Sequence, residues 1–213
     1  MKAIVLGGSK GIGKAIAEAL SSIGCDVLAA SRKDIDTSNL SSVRQFIKKQ
    51  KQTDILVLNT GGPPPKQFGE VTEKEWQRYH NQLFLGFCIL LQKLKVNNGG
   101  YIFVITSGVI KEPNPRLVIS SAYRLAFTAV FKLVSKELAA RNISCVNIAP
   151  GLINTDRLRD LGNADELARG LPMKRLGEPK EIGNFVKSIV QNKVKYLSGV
   201  TINFDGASSN FVL

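Results

Sequence analysis

The strongest constraint on this chain is a glycine turn set between a short apolar run and an amphipathic period. Residues 2–6 are apolar enough for a strand buried on both faces, and they run into Gly7-Gly8-Ser9-Lys10-Gly11-Ile12-Gly13. From Ile12, apolar residues recur at Ala15, Ile16, Ala19, Leu20 and Ile23, the spacing of one helix face, and Gly24 stops that helix. The alternation then repeats. Strands are expected at 26–30, 55–59, 101–106, 144–148 and 200–204, and helices at 41–50, 76–94, 120–141 and 179–191. Strand–helix alternation of this kind predicts parallel strands with helices on both faces. A length of 213 residues suits one such doubly wound domain over residues 1–213, with three α/β/α layers.

The glycine turn carries the first chemistry. Glycines there permit a tight turn and close backbone approach to a phosphate, and the helix behind them points its free N–H groups at the anion. Gly7, Ser9, Lys10, Gly11, Ile12 and Gly13 are therefore expected to hold a dinucleotide, in a Rossmann-type α/β sheet. The second strand ends Ala30-Ser31-Arg32-Lys33. An acidic residue at this point would hold a ribose 2′-hydroxyl, whereas an arginine accommodates a 2′-phosphate. With Ser31 in that place, Arg32 and Lys33 behind it and Lys10 in the turn, NADP(H) is expected over NAD(H). The alternative is that Arg32 and Lys33 are exposed charges at a strand end.

These residues, with four later motifs in order, resemble the short-chain dehydrogenase/reductase family, nearly from end to end. The glycine turn is similar to the family's TGxxxGxG, with Leu6 in place of the threonine. Asn59-Thr60-Gly61-Gly62 resembles its NNAG segment, and Thr106-Ser107 the segment that carries its catalytic serine. Pro150-Gly151-Leu152-Ile153-Asn154-Thr155 resembles its PG loop. Arg175-Leu176-Gly177-Glu178-Pro179, Ser198-Gly199 and Asp205-Gly206 resemble its C-terminal signature. The branch most resembled is that of the 3-oxoacyl-[acyl-carrier-protein] reductases. The resemblance implies hydride transfer between nicotinamide and a carbonyl or alcohol substrate. It also implies that Asn59, Gly61, Pro150, Gly151 and Thr155 contact the cofactor.

The chain departs from the family at the chemical step. Ser107 fits the serine that orients the substrate oxygen, but the YxxxK segment reads Ser120-Ser121-Ala122-Tyr123-Arg124. Ser120 stands at the tyrosine position and Arg124 at the lysine position. The helix asparagine falls on Leu83. A serine hydroxyl is a far weaker acid than a phenol, and an arginine does not release its proton at usable pH. Tyr123, three residues after Ser120 and on the same helix face, is the candidate substitute proton donor, with water and His80 as alternatives. Arg124 is expected to bind ribose or a substrate carboxylate. The altered Leu83, Ser120 and Arg124 also leave a second reading, a redox-inactive cofactor-binding sensor or scaffold. Asp36-Thr37 follows Arg32 almost at once, and residues 33–36 are too few for a parallel crossover. The sheet should therefore end at the second strand. Asp36 either contacts the adenine or caps the next helix.

Bulk composition narrows the partners. Lys and Arg number 29 against 17 Asp and Glu, a net charge of +12. Such an excess raises polyanions as partners, yet no basic tail, zinc-finger spacing or aromatic-interleaved basic run accompanies it. Neither nucleic acid nor membrane is expected, and no apolar run reaches the length of a membrane span. The three cysteines are odd in number and sit among apolar neighbours, and one histidine cannot build a multi-histidine site, so no metal is expected. The resemblance implies that residues 156–172, with Arg157, Arg159 and Arg169 among Asp156, Asp160, Asp165 and Glu166, cover the substrate. The two long helices are apolar around much of their circumference. In the family resembled, the matching helices pair in a dimer interface and the last strand often builds tetramers, so the resemblance implies a homodimer or homotetramer. The chain is expected in the cytoplasm.

Overall fold

The computed structural model describes residues 1–159 and 162–212. Six parallel strands form one sheet in the order β2-β1-β3-β4-β5-β6. They are β1 (Lys2–Leu6), β2 (Asp26–Ala30), β3 (Gln52–Leu58), β4 (Lys95–Ile105), β5 (Ser144–Pro150) and β6 (Val200–Phe204). Strand side chains alternate in direction, and each face has its own core. Ile4, Leu6, Leu56, Leu58, Ile102 and Val104 point to one side, where they meet α2 (Leu40–Gln50), α4 (Gly86–Lys93) and α5 (Val118–Ala139). Ala3, Val5, Ile55, Val57, Tyr101 and Phe103 point to the other, against α1 (Gly11–Ser21) and α8 (Pro179–Gln191). The α1–α8 contact is close because Gly183 has no side chain. A Cβ there would lie 2.6 Å from the Ala15 carbonyl oxygen.

The sheet does end at β2, which pairs only with β1, in register Lys2↔Asp26 to Leu6↔Ala30. The chain leaves β2 through a turn in which the Asp34 carboxylate accepts from the Ser31 backbone N–H at 2.8 Å and the Ser31 hydroxyl at 2.7 Å. Ile35 then buries itself, and Asn39 caps α2 by accepting from the N–H groups of Ser41 and Ser42.

Several elements differ in extent from the sequence pattern. The helix expected at 76–94 begins earlier, as α3 (Glu73–His80), because Thr72 and Glu75 form a reciprocal capping box. It then passes through a π turn at Asn81–Leu85 before α4. The strand expected at 101–106 starts at Lys95, with a register shift against β3 between Thr53 and Ile55. Finally, α5 is long and apolar enough to cross a membrane by length and composition, which the sequence reading had not anticipated. Its Ile119, Phe127 and Phe131 are buried, the two phenylalanines in the core beside the sheet.

Two short helices, α6 (Asp156–Arg159) and α7 (Ala164–Gly170), follow β5. They lie in the expected covering segment, of which Asp160 and Leu161 fall outside the described residues.

Candidate active site

A doubly wound sheet opens a crevice where neighbouring connections leave in opposite directions, here between β1 and β3, at the carboxyl ends of the strands. A cleft of about 600 Å³ occupies that position. Its floor is the glycine turn. Gly7 and Gly11 have φ of +60° and +51°, a backbone region that side-chain-bearing residues rarely adopt. A Cβ on Gly7 would lie 2.7 Å from Asn59 Nδ2, so the turn and the loop after β3 lock together only through a glycine. The first turn of α1 carries no acidic residue to compete for its N–H groups.

At the end nearest β2, Arg32 lines the cleft, and its Nε and Nη2 both donate to Asp36 Oδ2, at 3.1 and 3.0 Å. Partial burial raises the Asp36 pKa, but donation from Ser38 and from Arg32 outweighs it and holds the carboxylate below its usual range. Lys10 shares this cleft; Lys33 does not line it. Asp36 thus lines the cleft and also orders the turn before α2, accepting from the Ser38 backbone N–H and hydroxyl.

The opposite end is built by β4, β5 and the start of α5. Thr106, just past the end of β4, donates from its hydroxyl to Asn147 Oδ1 at 2.7 Å, and Asn147 Nδ2 reaches Thr128 and Thr201. This buried network fixes the strand end that presents Ser107. Arg124 is 7% exposed and inserts into the cleft wall. Its Nε donates to Ser120 Oγ at 3.2 Å, Nη1 to the Ile105 carbonyl at 2.9 Å and Nη2 to the Thr60 carbonyl at 3.3 Å. Burial, and then the charge of Arg157, lower its pKa to about 10. The two guanidinium groups meet over Gly62, where a Cβ would lie 3.2 Å from Arg157 Nη2 and 3.7 Å from Arg124 Nη2. Arg157 also donates to the Pro63 carbonyl at 2.5 Å, drawing the start of α6 across the loop after β3.

Most residues singled out in the sequence line this one cleft: Gly7, Ser9, Lys10, Gly11, Ile12, Arg32, Asp36, Asn59, Gly61, Ser107, Ser120, Arg124, Pro150, Gly151 and Thr155. Gly13 lies behind the turn, where a Cβ would strike the Gly7 carbonyl. Tyr123 requires correction. It is absent from the cleft wall, its ring stands edge-on to Trp76 and His80 at 5.6 and 5.5 Å, and burial raises its pKa. Although i and i+3 share a helix face, Tyr123 packs toward α3 with Trp76 and His80 instead of entering the cleft. Leu83 is buried with Tyr79 and Ile119. His80 likewise does not line the cleft.

The sequence reading missed Thr37, Thr60, Arg78, Tyr79 and Gln82, all of which line the cleft. Gln82 Nε2 donates to the Gly61 carbonyl at 2.7 Å, and Thr37 and Thr60 hydroxyls lie 3.4 Å apart. Gln82 follows Arg78 by four residues and Tyr79 by three, which puts it on the same side of the helix as each, but no feature of the sequence marks that side as the cleft wall.

Comparison with known proteins agrees with this geometry. A family model described as enoyl-(acyl carrier protein) reductase matches residues 36–208. A 3-oxoacyl-[acyl-carrier-protein] reductase from Aggregatibacter actinomycetemcomitans is 27% identical, over 95% of this chain and 97% of its own length. The 7alpha-hydroxysteroid dehydrogenase of Escherichia coli K12 is also 27% identical, over 96% of this chain and 92% of its own. Among solved structures, a short-chain dehydrogenase/reductase from Serratia marcescens superposes with a TM-score of 0.86 at 26% identity, covering 98% of both chains. L-Sorbose reductase from Gluconobacter frateurii shares the fold at a TM-score of 0.88 and 23% identity, over 99% of this chain and 97% of its own. The six-stranded parallel sheet, the glycine turn at its switch point and the extent of the family match place this chain in the short-chain dehydrogenase/reductase family of oxidoreductases.

Proposed function

We propose that this protein is a cytoplasmic NADP(H)-dependent oxidoreductase that transfers hydride between nicotinamide and a small carbonyl or alcohol substrate. One observation carries the reading. A single cleft collects the glycine turn, the cations Lys10 and Arg32 at one end, and Ser107 with a buried arginine at the other.

The residues present fit a dinucleotide with a 2′-phosphate. The turn supplies backbone N–H groups, the first turn of α1 is free of acids, and Lys10 and Arg32 supply the charge a phosphate needs. Asn59, Gly61, Pro150, Gly151 and Thr155 would hold the cofactor along the cleft. Bound there, the nicotinamide supplies or accepts the hydride. Ser107 orients the substrate oxygen. Arg124 binds ribose hydroxyls or a substrate carboxylate through the N–H groups left after its bonds to Ser120, Ile105 and Thr60. The segment 156–172 covers the substrate, held down through Arg157 and Pro63.

Leu125 and Leu133, 49% and 61% exposed on α5, support burial of this helix against a second copy in a homodimer or homotetramer. The function is tested by titrating NADPH fluorescence, then following NADPH consumption with a panel of aldehydes, ketones and 3-oxoacyl thioesters. Tight binding with turnover of at least one carbonyl is expected. Absence of NADPH binding refutes the reading, and a monomer at micromolar concentration refutes the assembly.

A further inference from the structure

Reduction of a carbonyl needs a proton for the oxygen as well as hydride for the carbon, and Ser120 stands where the phenol would be. We propose that Tyr79, on α3, is the general acid of this cleft. The inference rests on the oxidoreductase reading above and assigns that site its missing proton donor.

The chain has four tyrosines, and the structure separates them clearly. Tyr196 is fully exposed on the surface. Tyr101 lies in the core on the opposite face of the sheet, under the Lys195 ammonium. Tyr123 packs against Trp76 and His80, outside the cleft wall. Tyr79 alone is a cleft-lining phenol. It is 7% exposed, so its ring is fixed by packing. Its hydroxyl makes no hydrogen bond to any described residue, yet it is not among the solvent-inaccessible unsatisfied atoms, of which Asn203 Oδ1 is the sole described case. A phenol nine-tenths buried usually finds a partner. Here the ring is held, the residue faces the cleft, and the hydroxyl keeps its donor capacity for a group that enters.

The local fold explains how a tyrosine comes to stand there. Arg78, Tyr79 and Gln82 share one face of the α3 helix as it runs into the π turn, and Gln82 ties that face to the Gly61 carbonyl. Tyr79 belongs to the same small apolar cluster as Leu83 and Ile119, and Ile119 is the neighbour of Ser120 in the chain. The ring of α3 therefore meets α5 beside the position from which the phenol has been lost. Extra residues in π turns recur at functional sites because they turn a side chain off the regular helical register.

In the reducing direction the reaction balances as follows. A reduced nicotinamide bound in the cleft would supply the hydride for the C–H bond at the carbonyl carbon, as the C=O π pair moves onto oxygen. Ser107 and Ser120 donate hydrogen bonds to that oxygen. The Tyr79 O–H bond breaks, its proton goes to the substrate oxygen, and the phenolate regains a proton from water in the cleft. The nicotinamide is oxidised and the carbonyl reduced to an alcohol.

The test compares Tyr79→Phe, Tyr123→Phe and the unaltered protein. Each substitution removes one hydroxyl and keeps the ring, so packing is retained. NADPH affinity, read by fluorescence without substrate, should be unchanged in Tyr79→Phe, while its kcat on the best carbonyl of the panel falls about 10²- to 10⁴-fold. Tyr123→Phe should keep kcat within about threefold, as a hydroxyl outside the cleft would. Turnover in Tyr79→Phe close to that of the unaltered protein, with NADPH still bound, overturns the inference and leaves the oxidoreductase reading intact. The loss falling on Tyr123→Phe instead overturns it equally. No NADPH binding in the unaltered protein overturns the reading on which it rests.

Discussion

The proposed preference for a 2′-phosphate turns on Arg32, and the distances around that side chain set its expected size. Both donors of the Arg32 fork converge on one oxygen of Asp36, at 3.1 and 3.0 Å, with the arginine side chain 69% exposed. An ion pair so open to solvent is worth only about 0.2–1 kcal/mol. A phosphate entering beside it offers charge-assisted bonds of roughly 1.5–3 kcal/mol, so the guanidinium should leave the carboxylate for the ligand. At about 1.4 kcal/mol per decade, we predict that Arg32→Ala weakens NADPH binding roughly 10- to 150-fold. NADH, which has no 2′-phosphate, should lose less than about threefold. Asp36→Asn should act in the opposite sense. It releases Arg32 and removes a negative charge, tightening NADPH by up to about fivefold, the equivalent of the pair it breaks. Both variants can be read by fluorescence titration of NADPH and NADH at one fixed low ionic strength, since added salt screens the contact. Equal losses on the two cofactors in Arg32→Ala, or weaker NADPH binding in Asp36→Asn, would refute the reasoning.

Further predictions concern stability. Gly183→Ala should destabilise the fold by about 1–3 kcal/mol in urea unfolding, because its Cβ would enter the α1–α8 contact against Ala15. The Glu181 carboxylate is held at a pKa of about 2 by Arg175, which donates both Nη groups to it at 2.9 Å, and by the Glu178 N–H. Its ordinary value is 4.5, so the unfolded chain takes up the proton first as pH falls. The advantage in thermal midpoint over Glu181→Gln should therefore be full above pH 4.5 and vanish as the pH falls through about 2. An advantage that grows with acidity would contradict this. Burial raises the Cys145 thiol to a pKa of about 12, so in the native protein at pH 8 it should resist iodoacetamide and react only on unfolding, as read by peptide mass spectrometry.

The parts of the fold that were legible in the sequence are those where a local pattern has one physical solution. The run 2–6 could only be buried on both faces, and the residues after Arg32 were too few for a crossover, so β2 had to be the sheet edge. The half of the cleft floored by the glycine turn was legible for the same reason. Glycines at positive φ and a loop after β3 leave few alternatives to the backbone. The chemical half was not. Whether Tyr79 or Leu83 faces the cleft depends on how the helix rotates from α3 into α4, and the π turn at Asn81–Leu85 changes that rotation without any mark in the hydrophobic period, while Tyr123 depends on the rotation of α5. Tyr79 sits in a mostly polar stretch, Glu73-Lys74-Glu75-Trp76-Gln77-Arg78 before it and His80-Asn81-Gln82 after it, so its pattern does not show which way the phenol faces. The start of α3 carried a readable signal, the Thr72-Glu73-Lys74-Glu75 capping box, which the apolar pattern alone passed over.

The energetics of Arg124 make the altered site intelligible as a site. An arginine that is 7% exposed and bonded only to a serine hydroxyl and two carbonyls has lost water without gaining a carboxylate, and Arg157 adds a like charge beside it. Removing a charge from water costs several kcal/mol unless strong partners replace the solvent. A hydrophobic residue of the same volume would stabilise the wall better, so fold stability does not account for the arginine. What the cation does favour is negative charge arriving in the cleft: a carboxylate on the substrate, the oxyanion formed during hydride transfer, or the phenolate left when Tyr79 gives up its proton. Ser120 accepts from Arg124 Nε, which turns its own O–H away from the guanidinium and polarises it as a donor. A phenol on α3 and a polarised hydroxyl on α5 can thus divide between them the work that one tyrosine beside a lysine would do.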